Sequence, residues 1–480
     1  MKKFMALITA GLIMISSIPV LGAETKQSTT EKAPLTDQNV FDAIQYGVIP
    51  ADWADHLDEK LTADALKELT TALQTKIATI SGLKKQDKKA DFKASEGLSQ
   101  KAVLDALYVA ISDYDYGFDN EVEKNQGVEY FKAINVVDQK ITDETLGKDC
   151  TYKDAAYFAK AIIDKIFNGE DAASKGFFWK VQKGKNTVYM LGSIHLAESS
   201  IYPFSDEIMN AFNQADTLAV EADVTNTEAL QKFYSLQMYS DGTTLKDHIS
   251  TDLYEKITKA TETLQGDMNA INSLKPWALG LAYSNAASTM SLDTNNSAEA
   301  GSLGIDSYLL NSAHLSNKKI AEVESVAFQG EMFDNFSPEL QAYQLEESLN
   351  TVLEVYKNIQ DSKAGKETAE TKKAHDSSED EAFITKCINF WKSGDAEKFT
   401  DLNNEIFKAS EDKEHQKEIE EYFTKFYDER DKHMGETIEN WLNAEGEHTY
   451  FVTVGSSHYV DRAGIIPYLT EKGFTVTPIK

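Results

Sequence analysis

The segment Val188-Tyr189-Met190-Leu191-Gly192-Ser193-Ile194-His195 decides the fold. Tyr450-Phe451-Val452-Thr453-Val454-Gly455-Ser456-Ser457-His458 repeats its form near the other end of the chain. Each is a short apolar run, rich in β-branched and aromatic residues, stopped by G-S-x-H. Such runs read as buried strands of an α/β sheet. Gly192 and Gly455 let the backbone turn sharply where each strand ends. The histidine three positions later then sits on the loop at the strand's carboxyl end, the edge where open α/β sheets bind ligands. His195 and His458 can therefore face one cleft, as a metal site or an acid–base pair requires. Two surface histidines on unrelated loops would give the same spacing.

A third apolar run, Thr217-Leu218-Ala219-Val220, leads into Glu221-Ala222-Asp223-Val224. A carboxylate at this strand end can meet the two histidines across adjacent strands. His195, Glu221 and His458 make a divalent-metal set with a position open for water. The ion would lower the pKa of that water and polarise a carbonyl while a carboxylate takes the proton. A salt bridge is the plainer role for Glu221.

Around these runs the pattern alternates. Phe177–Gly192 reads as a hairpin with its turn at Lys183-Gly184-Lys185-Asn186. A helix is expected at Ser205–Asn213, strands at Thr217–Val224 and Ile320–Val326, and helices from Glu381 to Leu442. The chain closes with the strand Tyr450–Val454, the helix Ile465–Lys472 and the strand Phe474–Pro478. This predicts an α/β domain over 177–480, with a mixed, largely parallel sheet flanked by helices. A charged, Gly/Ser/Lys-rich insertion near 357–380 reads as a loop or linker.

At 480 residues the chain is too long for one ordinary core. Residues 1–23 read as a secretory signal peptide: Lys2 and Lys3, an apolar stretch from Phe4 to Leu21, then small residues for cleavage. No other segment is a transmembrane candidate, so the expectation is a secreted or cell-surface protein. A net charge of −30 argues against nucleic acid and anionic lipid as partners. Two cysteines, Cys150 and Cys387, are too few for a disulfide framework or a thiolate metal site. No G-x-S-x-G elbow, H-E-x-x-H, Walker-type loop or G-x-G-x-x-G occurs.

Residues 33–170 read as a small all-helical domain, with pieces at Asp37–Tyr46, Thr62–Ile80, Ser99–Ser112 and Lys153–Phe167. Two passages look related: Val40–Leu73, with A-I-Q-Y-G-V-I-P, and Tyr130–Ile163, with A-I-N-V-V-D. Each gives a helix, a turn, a Thr helix cap and a second helix. This resembles degenerate S-layer-homology repeats, which implies attachment to a cell-wall polymer. The Thr-Arg pair of that repeat is absent.

From Phe177 onward the chain resembles the TraB/GumN family. The motifs are W-K-V-Q, V-Y-M-L-G-S-I-H-L and A-V-E-A-D, followed by G-I-D-S-Y-L-L-N-S-A, V-E-S-V-A-F-Q, E-R-D-K-H-M and V-T-V-G-S-S-H-Y-V-D-R-A-G-I-I-P-Y-L. That family is similar to the Tiki proteases, which pair two G-x-x-H motifs with a glutamate and a divalent metal. The resemblance implies that His195, Glu221 and His458 hold a divalent ion, with Zn, Mn or Co fitting such ligands. It implies that Arg430 stabilises oxyanion charge and that Asp306, Glu324 and Gln329 support the site. Asp431 stands where the family commonly has Asn, which unsettles the network expected around Arg430. The implied function is metal-dependent hydrolysis of a peptide or other small extracellular substrate. A non-catalytic binder that sequesters a peptide signal and an erythromycin-esterase-like ester hydrolase are the alternatives. His433, one helical turn from Arg430, is the additional histidine that could share its face.

Overall fold

A computed structural model of the chain describes residues 36–86, 97–119, 122, 126–290, 297–364, 383–409, 414–460 and 463–479. The expected signal segment, residues 1–23, lies outside the described residues. None of the described helices is long and apolar enough to cross a membrane.

Two compact units divide the chain. One comprises Lys32–Ser174 with Ser199–Met209, and the other Lys175–Glu198 with Asn210–Lys480. In the first, the helices Gln38–Gln45, Ala63–Ile77, Gln100–Ile111 and Tyr152–Gly169 start where the sequence supplies capping side chains. Thr62 accepts from the Ala65 amide at 3.2 Å, and Thr151 with Asp154 forms a reciprocal capping box. Val40, Leu69, Leu73, Leu104, Ile162 and Ile166 fill the core. A two-residue pairing, β1 (Lys84–Lys85) with β2 (Tyr114–Asp115), accompanies the helices.

The two passages read as related make the same turn after their first helix. Gly47 and Asn135 both take positive φ, 71° and 61°. The next amides, Val48 and Val136, then donate back to the carbonyls of Ala43 and Phe131 at 3.1 and 2.8 Å. Glycine and asparagine are the residues that enter the left-handed region at least cost, so the turn explains their presence.

The second unit is built on a six-stranded sheet: β3 (Phe178–Lys183), β4 (Asn186–Ser193), β5 (Thr217–Val220), β6 (Lys319–Glu322), β7 (Thr449–Gly455) and β8 (Val476–Pro478). Their order is β6-β5-β7-β4-β3-β8. The first four are mutually parallel, while β3 pairs antiparallel with both β4 and β8. The structure is therefore the expected α/β fold with a mixed, largely parallel sheet, and helices accompany it. The hairpin turn falls at Gly184, φ 59°, between the paired Lys183 and Asn186.

Packed helices carry a further core around Trp277, Phe333, Phe336, Leu340, Tyr422 and Phe426. The Glu429–Asn443 helix packs on β3 and β4, and the Ile305–Leu315 helix on β5 and β6. One boundary differs from expectation in a way that matters. The Pro338–Lys363 helix runs into the stretch read as a charged insertion; its buried Leu349 and Val352 lie before that stretch. The rest of that stretch, 365–380, lies outside the described residues. Cys150 and Cys387 are buried free thiols, one in each unit.

Candidate functional site

Register brings the strand ends level. Ser193 lies opposite Gly455, Thr453 opposite Val220, and Val220 opposite Glu322. Four adjacent parallel strands therefore deliver their following residues to one edge. In sheet order these are Glu324 after β6, Glu221 after β5, His458 after β7 and His195 after β4. Backbone bonds extend the alignment past the strands: Glu221 N donates to Thr453 O at 3.0 Å, and Glu324 N to Glu221 O at 3.0 Å.

Close approach explains Gly192 of the first motif and Gly304. A Cβ on Gly192 would lie 2.8 Å from Ser456 Oγ and 3.2 Å from its Cα. One on Gly304 would fall 2.2 Å from the His195 carbonyl oxygen. Gly304 thereby lets the Ile305–Leu315 helix begin against His195, which puts Asp306 within reach of the ring. A Cβ on Gly455 would meet three side chains first, at ordinary contact distance. It would lie 3.5 Å from both His195 Nε2 and Glu221 Oε2, and 3.4 Å from His458 Cδ2. These three side chains thus surround one point.

Each histidine is held from behind. His195 Nδ1 bonds Asp306, which also accepts from Ser193 Oγ. His458 Nδ1 bonds Asp431 Oδ1 at 2.5 Å. Both Nε2 atoms are buried and have no hydrogen-bond partner. His195 Nε2 lies 4.0 Å from Glu221 Oε2. Glu221 itself is heavily engaged. Its Oε1 accepts from Arg430 Nη2 at 2.5 Å and Gln329 Nε2 at 2.8 Å, and its Oε2 from Gly455 N at 2.9 Å. Arg430 also grips Glu324, with Nε 3.0 Å from both oxygens and Nη2 2.7 Å from Oε2.

Arg430, Glu221, Asp431 and His458 are each no more than 1 % exposed. Burial pushes the His458 pKa well below its ordinary value, and the positive charges of Arg430 and His195 push the same way. Burial also opposes charge on His195, but Asp306, aided by Glu221, outweighs it and raises that pKa. Glu324 is raised by burial against the pull of Arg430. Within this cluster Glu221 and Glu324 share the Arg430 guanidinium, while Asp306 and Asp431 each bond a histidine. A buried, acid-rich cluster beside two imidazole nitrogens without hydrogen-bond partners suits a cation. The donor set of His195, His458 and Glu221 therefore fits a divalent ion in kind. It does not stand as a closed cage: among the described residues, no group of three or more His, Cys, Asp or Glu is arranged to hold a metal ion.

The segment before Arg430 is a π-helical stretch, Phe423–Asp428, between the helices Gln416–Tyr422 and Glu429–Asn443. Its wider turn sets the Phe426 and Tyr427 rings 6.0 and 5.5 Å from the His458 ring. The Arg430 guanidinium lies 4.8 Å over Phe426. Such bulges interrupt helices where side chains must be re-aimed.

Nine of the residues singled out in the sequence thus lie at one sheet edge: Gly192, His195, Glu221, Asp306, Glu324, Gln329, Arg430, Gly455 and His458. Sequence reasoning missed the role of Asp431. Its place next to Arg430 marked it only as a departure, whereas the helix turns it onto His458. The network around Arg430 is complete without it. His433 does not join the cluster; it is exposed and stacks on Phe328 with ring centroids 6.0 Å apart. The other described histidines lie elsewhere too, as His56 on Glu59 and His248 on Tyr239 illustrate. His375 lies outside the described residues.

Known proteins resemble parts of this chain. An uncharacterized protein of Treponema pallidum (strain Nichols) is 24% identical over 127 residues, which cover 26% of this chain and 38% of that protein. The alignment thus spans well under half of that relative's length. No solved structure matches the chain. The TraB/PrgY/gumN family matches residues 177–478, well over half of the chain, which carries the whole sheet and the His–Glu–His edge. The chain belongs to the TraB/PrgY/gumN family.

Proposed function

We propose that this protein is an exported, metal-dependent hydrolase that cleaves a peptide substrate, using His195, His458 and Glu221 to hold a divalent ion. The observation that carries the reading is the pair of buried Nε2 atoms without partners, each on a ring whose Nδ1 is bonded to a carboxylate. That arrangement is how proteins present imidazole to metals. A bound Zn, Mn or Co ion would supply Lewis acidity and a water of lowered pKa.

The chain's own groups do the rest. Asp306 and Asp431 hold the histidine rings in place, and Arg430 with Gln329 orients Glu221. Arg430 was expected to meet oxyanion charge directly. Its bonds to Glu221 and Glu324 support a different part in the proposal, acting through Glu221 rather than on the substrate. Residues 1–23 support export, and the repeated helix–turn–helix passages support a surface role in which the first unit meets a cell-wall polymer. Peptide rather than ester cleavage rests on the likeness to Tiki proteases.

The test is a peptide-library digest by the purified mature protein, with chelator and after metal is restored. Cleavage that chelator abolishes and metal restores is the expected result. Cleavage indifferent to chelator, or turnover of esters alone, would contradict the proposal. A second reading, a non-catalytic binder of an extracellular peptide, is favoured by the closure of the cluster: Glu221 and His458 are both 0% exposed. It predicts peptide capture without turnover.

A further inference from the structure

We propose that Asp431 is a positioning residue that commits His458 to the tautomer protonated at Nδ1, which leaves Nε2, the ring atom next to the Cδ2 that borders Gly455, as an acceptor. This rests on the metal-site reading for what Nε2 meets, but the positioning itself does not need an ion. Asp431 Oδ1 lies 2.5 Å from His458 Nδ1, with Asp431 and His458 both 0% exposed. A carboxylate oxygen accepts hydrogen bonds, so in this contact the donor is His458 Nδ1, which then carries the proton. His458 Nε2, at the other end of the ring, has no hydrogen-bond partner and is left unprotonated.

Asparagine has nearly the same shape, but it can present either its carbonyl or its NH2 group. An Asn at 431 that donated would force the opposite tautomer and put a proton on Nε2. In a hydrolase triad, the same Asp-to-Asn exchange beside a histidine leaves geometry intact and destroys function through the wrong tautomer.

The helix gives this contact a second consequence. Arg430 and Asp431 are neighbours in the first turn of Glu429–Asn443. Arg430 fixes Glu221 while Asp431 fixes His458. One helical turn therefore sets two of the three would-be ligands, and the preceding π-helical stretch packs Phe426 and Tyr427 against the same ring. Rotating that turn would move Glu221 and His458 together. His195 depends instead on Asp306 from a different helix.

The test uses the full chain labelled with 15N-histidine, metal-free, with a His458→Gln variant to assign the signal. The wild type should show a protonated Nδ1 and an unprotonated Nε2 on His458. Asp431→Asn should shift His458 toward the Nε2-protonated form while thermal unfolding stays nearly unchanged. Competition with a chelating dye should show Zn affinity weakened about 10- to 100-fold in the variant. An Nε2-protonated His458 in the wild type would overturn the proposal, as would Asp431→Asn leaving both tautomer and affinity unchanged. The expected tautomer change with Zn bound by neither protein would support the positioning and sink the metal reading.

Discussion

Replacing Arg430 by Gln should cost far more than a surface charge change, because it strands two buried carboxylates. Glu221 and Glu324 side chains are both fully enclosed, and Arg430 makes its closest contacts to them, 2.5 and 2.7 Å. Breaking a buried pair by deleting one partner typically costs about 3–5 kcal/mol. For a domain of this size that is a fall in melting temperature of roughly 6–15 °C. The pH dependence has a definite sign. Burial already raises the folded-state pKa of Glu324 above its ordinary 4.5 while Arg430 holds it down. Without Arg430 it rises further, so protonation favours the folded variant. That contribution is fully present below the unfolded pKa and is lost as pH climbs through the folded one. The Arg430→Gln deficit should therefore be smallest in acid and grow as pH rises. Adding Glu324→Gln removes one of the two stranded carboxylates and should recover part of the loss. Differential scanning calorimetry of wild type, both single variants and the double variant across pH reads all of this. A single-variant loss below about 1 kcal/mol, or a double variant with strictly additive losses, would refute the reasoning.

Three other outcomes follow from named contacts. Gly304→Ala would drive a methyl to 2.2 Å from the His195 carbonyl, so the backbone there must shift; we expect about 1–3 kcal/mol of destabilisation by chemical denaturation. Gly455→Ala meets only ordinary contacts at 3.4 and 3.5 Å, so unfolding should change by less than about 1 kcal/mol. It fills the space between His195, Glu221 and His458, and metal uptake measured by dye competition should vanish. Intact-mass measurement of secreted protein should place the mature N-terminus near Ala23 or Glu24, and a retained Met1 segment would contradict export with cleavage.

Much of the site was legible because its residues follow local strand patterns. V-Y-M-L-G-S-I-H, T-L-A-V-E and F-V-T-V-G-S-S-H each carry their own signal, and parallel pairing does the rest. Strand ends were harder. The run from Thr217 was expected to extend to Val224 but stops at Val220, because Glu221 turns its carboxylate onto Gly455, Gln329 and Arg430. The commitment of Arg430 to two carboxylates was not legible, since both arrive from other strands. Asp431 was readable only as an oddity beside Arg430; its contact with His458 depends on how the helix packs on β3 and β4. The π-helical stretch has no residue-type signature at all, so nothing in F-T-K-F-Y-D announces it.

The central claim is that His195, Glu221 and His458 form a metal site. Its most direct test is the metal content of the purified full-length mature chain after growth with divalent metals and exhaustive dialysis. Elemental analysis should find about one ion per wild-type chain. His195→Ala and His458→Ala should each lose it while keeping the wild-type circular dichroism spectrum. A wild-type protein free of metal, or folded variants that retain the full complement, would contradict the account.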